Sequence, residues 1–246
     1  MRKKFQFKSI GARLTFWFFV MGMVPLIMVN IAIYIQIVHS MKVSAFNKIE
    51  AMRDLKVIEV NHWLNERIAD IRTIAASDEI RLLEKIHNVK NSQPDIAIVS
   101  KARNLLASYL KNNDDFHIIS IVSPITNNIL VSTDNEIEGE SSSHDVHIME
   151  ALQKSNLSIT DIYFSEKLNN PTMAFSVPVF SMLGSNQIIG HLVAYISLES
   201  SLYKMLLNHT GVGETGETLI VNKDVIALNK LRWYDNTPLT LKIRSD

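Results

Sequence analysis

The chain has 246 residues, with 25 basic and 25 acidic side chains and a formal net charge of zero. Neutrality, with no basic stripe beyond the extreme N-terminus, argues against a nucleic acid or another polyanion as partner. Cysteine is absent, which excludes disulfides, thiol nucleophiles and thiolate metal sites.

From Leu14 to Val38 there is no Asp, Glu, Lys or Arg. A run of about 18 or more mostly apolar residues is long enough to cross a bilayer as a helix, and no comparable run follows. Arg2, Lys3, Lys4, Lys8 and Arg13 precede it without an acidic residue among them, so the positive-inside rule places the N-terminus in the cytoplasm. The apolar core exceeds that of a signal peptide and lacks a good cleavage site, so the expectation is an uncleaved anchor. Pro25 lies mid-span, where membrane helices tolerate it. The bulk of the protein is then extracytoplasmic, at the plasma (inner) membrane.

From Met41 to Ala76 no Gly or Pro occurs. Apolar residues recur at Phe46, Ile49, Met52, Leu55, Ile58, Leu64, Ile68 and Ile71, with charges between them. Steps of three and four predict a long amphipathic helix, reaching roughly 50 Å outward at about 1.5 Å per residue. Its stripe suits packing on its own domain, on a partner helix, or both. Ser77-Asp78-Glu79-Ile80 reads as the start of a shorter helix, Asn91 to Pro94 as a break, and Asp95 to Lys111 as another helix.

The period then changes. Phe116–Val122 and Ile129–Ser132 read as strands, with a turn between them. Thr133 to Ser143 is a polar loop and Asp145 to Lys154 a short helix. Leu157–Phe164, Thr172–Phe180 and Gln187–Leu198 read as three further strands, and Glu199 to Asn208 as a helix. The order predicts an α+β fold in which an antiparallel sheet carries a helix–loop excursion, the shape of a PAS-like sensor. Alternation puts Thr172, Ala174 and Ser176 on one face of their strand and Met173, Phe175 and Val177 on the other. The small polar face, with Tyr163, Ser165 and Tyr195 from neighbouring strands and Ser132 and Asp134 at the entrance to the loop, forms the candidate ligand site. Apolar walls with a few polar groups are the expected design of such a pocket.

Gly211-Val212-Gly213-Glu214-Thr215-Gly216 has the spacing of a dinucleotide fingerprint. That motif needs a strand before it and a helix after it. Here a helix precedes and a predicted strand, Thr218–Asn222, follows, so the reading is a tight turn whose glycines take positive φ. His144 and His147 stand three apart beside Asp145, but zinc needs three or four ligands and nothing obvious completes the set. Ser141 to Ser143 lie next to His144 in sequence, which does not make a catalytic triad. No catalytic residue, metal ligand or cofactor signature is assigned.

The string from Gly211 to Asp224 (GVGETGETLIVNKD) resembles the boundary between the two PAS-like modules of double Cache sensor domains, the extracytoplasmic parts of bacterial histidine kinases, chemoreceptors and diguanylate cyclases. Ala227 to Tyr234 (ALNKLRWY) resembles a continuation seen in the histidine kinase branch. His62 to Arg67 (HWLNER) fits the late part of the long helix, and Val177-Pro178-Val179 with Gly190 to Ala194 fits the last hairpin of the distal module. The resemblance implies a cytoplasmic tail at 1–13, a membrane helix at 14–38, a long helix at 39–76, a distal ligand-binding module at 77–208 and the start of a proximal module at 209–246. It implies a membrane-bound receptor without catalytic activity in this chain, most like a two-component histidine kinase, with chemotaxis as the related use. A small-molecule ligand and a homodimer follow from the same resemblance. Many amino-acid-sensing members carry an acid near the end of the last distal strand. The matching Ala194-Tyr195-Ile196-Ser197 has none, which speaks against that mode of recognition. The chain reaches only Asp246, so the expectation is a truncated proximal module and no output domain. The alternatives from other classes are a membrane-tethered hydrolase built on Ser141 to His147 and a ligand-free interaction module.

Overall fold

The computed structural model describes residues 10–87, 96–182, 184, 187–208, 213, 216–235 and 237–243. The chain divides into two compact units, Met1–Leu55 and Lys56–Asp246. The described part of the first is wholly helical, the beginning of α1 (Ile10–Ala76), which runs without interruption through Pro25. Among the described residues this is the one helix long and apolar enough to cross a membrane, and none of its apolar stretch is buried against protein. Two polar side chains in that stretch bond to their own helix: Thr15 Oγ1 donates to the Gly11 carbonyl at 3.0 Å and Asn30 Nδ2 to that of Leu26 at 2.8 Å. Internal satisfaction of polar groups is what hydrocarbon demands.

The second unit holds the rest of α1, then α2 (Asp78–Arg81), α3 (Glu84–His87) and α4 (Ile96–Asn112). Six strands follow: β1 (Phe116–Val122), β2 (Ile129–Ser132), β3 (Ser158–Ile159), β4 (Tyr163–Ser165), β5 (Asn170–Phe180) and β6 (Ile188–Ile196). α5 (Val146–Leu152) stands between β2 and β3, and α6 (Leu202–Leu206) follows β6. The strands form one antiparallel sheet in the order β2-β1-β6-β5-β3, with β4 pairing to the other end of β5. β1 and β6 are therefore central, and they read as near-continuous apolar runs because both faces are covered.

Period-two alternation sorts the side chains. Ile119, Ile121, Val131, Phe175, Val177, Leu192, Ala194 and Ile196 face one way and pack with Trp63, Ile71 and Ile74 of α1 and Ala102 and Leu106 of α4. Ile118, Val122, Ile129, Ala174 and Val193 face the other way, against Ile137 and Ile148 from the excursion between β2 and β3. A bulge between Phe116 and Ile118 allows both of those residues to be buried on opposite faces. Gly190 lets β6 approach β1 closely; a Cβ there would stand 3.1 Å from Ile121 Cγ2.

The amphipathic stripe of α1 divides in two. Its later part, from Val60 to Ala75, packs on the sheet. Phe46, Ile49, Leu55 and Ile58 are exposed at 71%, 63%, 57% and 64%. Arg67 joins α1 to the turn before β1: it pairs with Asp115, donates to Asn113 Oδ1 at 3.0 Å and lies 5.9 Å over the Phe116 ring.

Three elements depart from the sequence reading. Ser77 sits at the helix-capping position, but its hydroxyl turns back to the Ile74 carbonyl at 2.6 Å, and two short helices replace one. Glu84 of α3 points inward and accepts hydrogen bonds from Ser181 Oγ (2.7 Å) and the Met182 amide (3.1 Å). The third predicted strand is split into β3 and β4. Thr160 interrupts it, because its Oγ1 takes the Ala174 amide at 2.9 Å in place of a backbone carbonyl. The expected strand Thr218–Asn222 contributes only an isolated bridge, Val221 with Ala227. Leu228, whose amide donates to the Ile220 carbonyl of that segment at 2.9 Å, is tied to α6 by Tyr203, whose hydroxyl donates to the Leu228 carbonyl at 2.8 Å. The Asn91 to Pro94 break and most of the Gly211 to Gly216 motif lie outside the described residues. Gly213 has φ of +80°, as the turn reading expects.

Arg67→Ala would leave Asp115 and Asn113 of the α4–β1 turn without their cation. A loss of about 1–3 kcal/mol is expected, measurable as a lowered urea midpoint with an unchanged slope. An unchanged midpoint would show that the Arg67 contacts add nothing to the apolar packing of α1.

Candidate functional site

The excursion closes over the centre of the sheet. The floor is Ile118, Ser120 and Val122 of β1 with Val193 and Tyr195 of β6, edged by Ile129. The cover is Ile137, Ser142 and Ile148 from the excursion and Lys167 and Leu168 from the β4–β5 turn. Between them remains a cavity of about 20 Å³, room for about one water molecule. A larger hollow of about 670 Å³ lies elsewhere, lined by Arg72, Ala75, Arg81, Leu157, Pro178 and Phe180 among others. It is broad, open to solvent and shares no residue with the floor.

Local hydrogen bonds hold the cover in place. Asp145 caps α5 by accepting the His147 and Ile148 amides through Oδ1 at 3.1 and 3.2 Å, and Oδ2 accepts the Tyr163 hydroxyl at 2.8 Å. The His147 ring stacks on Tyr163 at 4.1 Å between centroids. Glu138 accepts both a bidentate pair from Arg103 of α4 (3.0 and 2.6 Å) and the Ser132 amide (2.9 Å). Lys167 pairs with Glu140 at 2.9 Å. Ser142 Oγ donates to the Asn127 carbonyl, and Ser141 Oγ to Ser143 Oγ. These serine hydroxyls are engaged without a histidine, so the triad geometry a hydrolase would need is not formed here. Among the described residues no group of three metal-ligating side chains occurs.

The strand registers place five residues in one transverse row on the covered face: Ser132, Ser120, Val193, Ser176 and Ser158. All five are buried. Ser120 Oγ and Ser132 Oγ lie 3.0 Å apart and satisfy each other. Ser176 Oγ has no partner, and neither has Nδ1 of His191, which lies on the same face two residues before Val193 and opposite Val122. Burial, then for Tyr163 the neighbouring Tyr195 phenol, and for both the Asp145 charge, push the two phenols well up, so both stay neutral. Burial pushes the His191 imidazole down.

Of the seven residues read from the sequence, Tyr195 lines the cavity. Ser132 and Ser176 lie in the floor row. Tyr163 stands behind the cover, holding Asp145. Three hydroxyl or carboxyl groups have local duties: Asp134 accepts the Glu136 amide at a helix start, Ser165 accepts the Leu168 amide in a turn, and Thr172 donates to the Ile196 carbonyl. Ser120, Asp145, Lys167 and His191 were not assigned to the site. A serine inside the apolar run Phe116–Val122 was the one available signal among them.

No family model and no curated protein sequence matches the chain. Solved structures do. The ligand-binding domain of the Pseudomonas aeruginosa PAO1 amino acid chemoreceptor PctC, in complex with GABA, has 16% identity and a TM-score of 0.53 over 79% of this chain and 78% of that one. The sensor domain of the V. cholerae histidine kinase DctB has 10% identity and a TM-score of 0.58 over 74% and 65%. The ligand-binding domain of the Pseudomonas fluorescens chemoreceptor CtaA, in complex with L-serine, has 16% identity and a TM-score of 0.55 over 76% and 71%. The chain has the PAS-like α+β fold of these double Cache-type sensor domains. It spans a little under two thirds of the length of the DctB domain.

The buried His191 sets a pH dependence. Its folded-state pKa lies below the ordinary 6.5, so the unfolded chain binds its proton first. The stability it contributes is complete above about pH 6.5 and is lost as pH falls below that value. Between about pH 7.5 and about pH 5.5, the native protein is expected to lose more stability than a His191→Gln variant. Equal losses in urea unfolding would show that the imidazole is not desolvated.

Proposed function

We propose that this chain is the extracytoplasmic sensing part of a membrane-bound signal-transduction receptor, of histidine kinase type, without catalytic activity of its own. The observation that carries the reading is the two-sided sheet. One face is packed by α1 and α4, and the other is an apolar floor with sparse hydroxyls under a cover made of short, capped turns. A small molecule binding between floor and cover favours whichever arrangement of the cover admits it, and it shifts the equilibrium only by its unequal affinity for the two states. The floor strands also form the seat of α1, so a change in their packing reaches the helix that continues toward the membrane. The solved structures of this fold include ligand-binding domains holding GABA and L-serine, which supports a ligand site here.

In this reading residues 1–13 are cytoplasmic, 14–38 span the membrane, 39–76 form the signalling helix, 77–208 the distal module and 209–246 the beginning of a proximal one. The exposed stripe Phe46, Ile49, Leu55 and Ile58 supports pairing with the same helix of a second copy in a homodimer.

The test combines ligand and topology. The full chain in lipid nanodiscs is screened by thermal unfolding against carboxylates, amino acids, amines, purines and neutral organics. A ligand at about 100 times its Kd is expected to add about 2.7 kcal/mol. The native chain has no cysteine, so a single Glu136→Cys reports location, and an impermeant maleimide added outside intact cells is expected to label it. Labelling only after lysis would overturn the orientation. A well-folded sample that no compound stabilises would favour the interaction module.

A further inference from the structure

The charges around the cavity are all spoken for. Asp145 holds the Tyr163 hydroxyl and two helix amides, and Glu138 holds Arg103 and the Ser132 amide. Lys167 is paired with Glu140, and Asp134 caps its own turn. An anion would have to displace Glu140 from Lys167 or Glu138 from Arg103, and a cation would have to share Asp145 with the Tyr163 hydroxyl and two helix amides, both of which cost free energy. The unused groups are neutral. Ser176 Oγ and His191 Nδ1 are buried, on the sheet face that carries the cavity, and lack partners. Ser176 pairs in register with Val193, and His191 with Val122, both of which line the cavity. Neither lines the present cavity, and they stand diagonally on neighbouring strands, Ser176 opposite Val193 and His191 opposite Pro178. Buried polar groups are nearly always hydrogen-bonded, so two orphans on one face mark the place of an absent partner. The rest of the floor is apolar apart from the Ser120 hydroxyl, paired with Ser132, and the Tyr195 phenol.

We propose that the distal site takes an uncharged small molecule, an apolar body on Ile118, Val122 and Val193 with a hydroxyl or carbonyl group bonded to Ser176 Oγ and His191 Nδ1. This rests on the sensor reading and names the ligand class for the same site. Tyr195 adds a neutral phenol to the wall. The present cavity admits about one water, so the ligand enters by displacing Ile137 and Ile148 of the cover while the sheet keeps its register.

The experiment uses the full chain in nanodiscs and probes that share a body and differ in head group. They are cyclohexanol, cyclohexylamine and cyclohexanecarboxylate, then isobutanol, isobutylamine and isobutyrate, with L-isoleucine as the zwitterion. Binding is read by saturation-transfer NMR and by thermal shift. The alcohols are expected to bind about tenfold or more tightly than their charged counterparts. Their affinity should not change between about 0.05 M and about 0.5 M salt, since no ion pair is involved. Ser176→Ala is expected to weaken alcohol binding about fivefold while leaving the unliganded melting temperature equal or higher, because it removes an unsatisfied buried hydroxyl. Tighter binding of an amine, a carboxylate or L-isoleucine would overturn the ligand class and leave the sensor reading standing. Absence of binding by every probe, alongside failure of the wider screen, would overturn both. Alcohol binding unaffected by Ser176→Ala would overturn the assigned contact.

Discussion

Everything in the folded unit depends on the burial of both faces of β1 and β6. A strand sends successive side chains to opposite faces, so the residues of these two strands serve either α1 and α4 or the covered site, with His117 at the bulge left exposed. The bulge between Phe116 and Ile118 shows how tightly that is enforced: the strand gives up regular pairing so that both side chains are buried. A slip of one residue would carry Ser120 and Val193 to the helix side and Ile119 and Leu192 under the cover. The position of the hydroxyl row is therefore a consequence of register.

The two sides of the sheet are stabilised differently. The helix side is a continuous apolar core, with Ile71, Ile74, Leu106, Ile119, Phe175 and Leu192 fully buried, each of the order of 1.5–3 kcal/mol on transfer from water. The cover side has a smaller apolar cluster and depends on capping carboxylates and short turns. Arg103 and Glu138 link the two, since Arg103 belongs to α4 and Glu138 to the cover. Local opening of the cover would leave the helix-packed core in place.

Much of the architecture was legible in the sequence. The charge-free run from Leu14 to Val38, the three-and-four spacing of α1, the bounds of β1 and β2, and the two faces of β5 all rest on periodicity, a property of neighbouring residues. The parts that were not legible depend on hydrogen bonds a pattern does not display. Thr160 breaks a strand because its hydroxyl outcompetes a backbone carbonyl. Ser77 caps nothing because its hydroxyl turns back. Asp134, Ser165 and Thr172 are polar residues in the right neighbourhood whose groups are consumed within a few residues or by the next strand. Ser176 is distinguished from them only by having no partner. His191 falls within the hairpin pattern Gly190 to Ala194, and its burial on the covered face follows from the register. The likeness to double Cache domains pointed to the correct fold, while the particular chemistry of this site comes from its own side chains.

The central claim is that the cover opens independently of the sheet beneath it. Native-state hydrogen exchange on the full chain tests this most directly. The amides of Ile148 to Leu152 and those around Ile137 are expected to exchange through local opening, at a free-energy cost well below that of the amides in Ile118 to Val122 and Leu192 to Ile196, which exchange only on global unfolding. Equal protection in cover and floor would contradict the account, because the site would then be a packed core that no ligand enters short of unfolding.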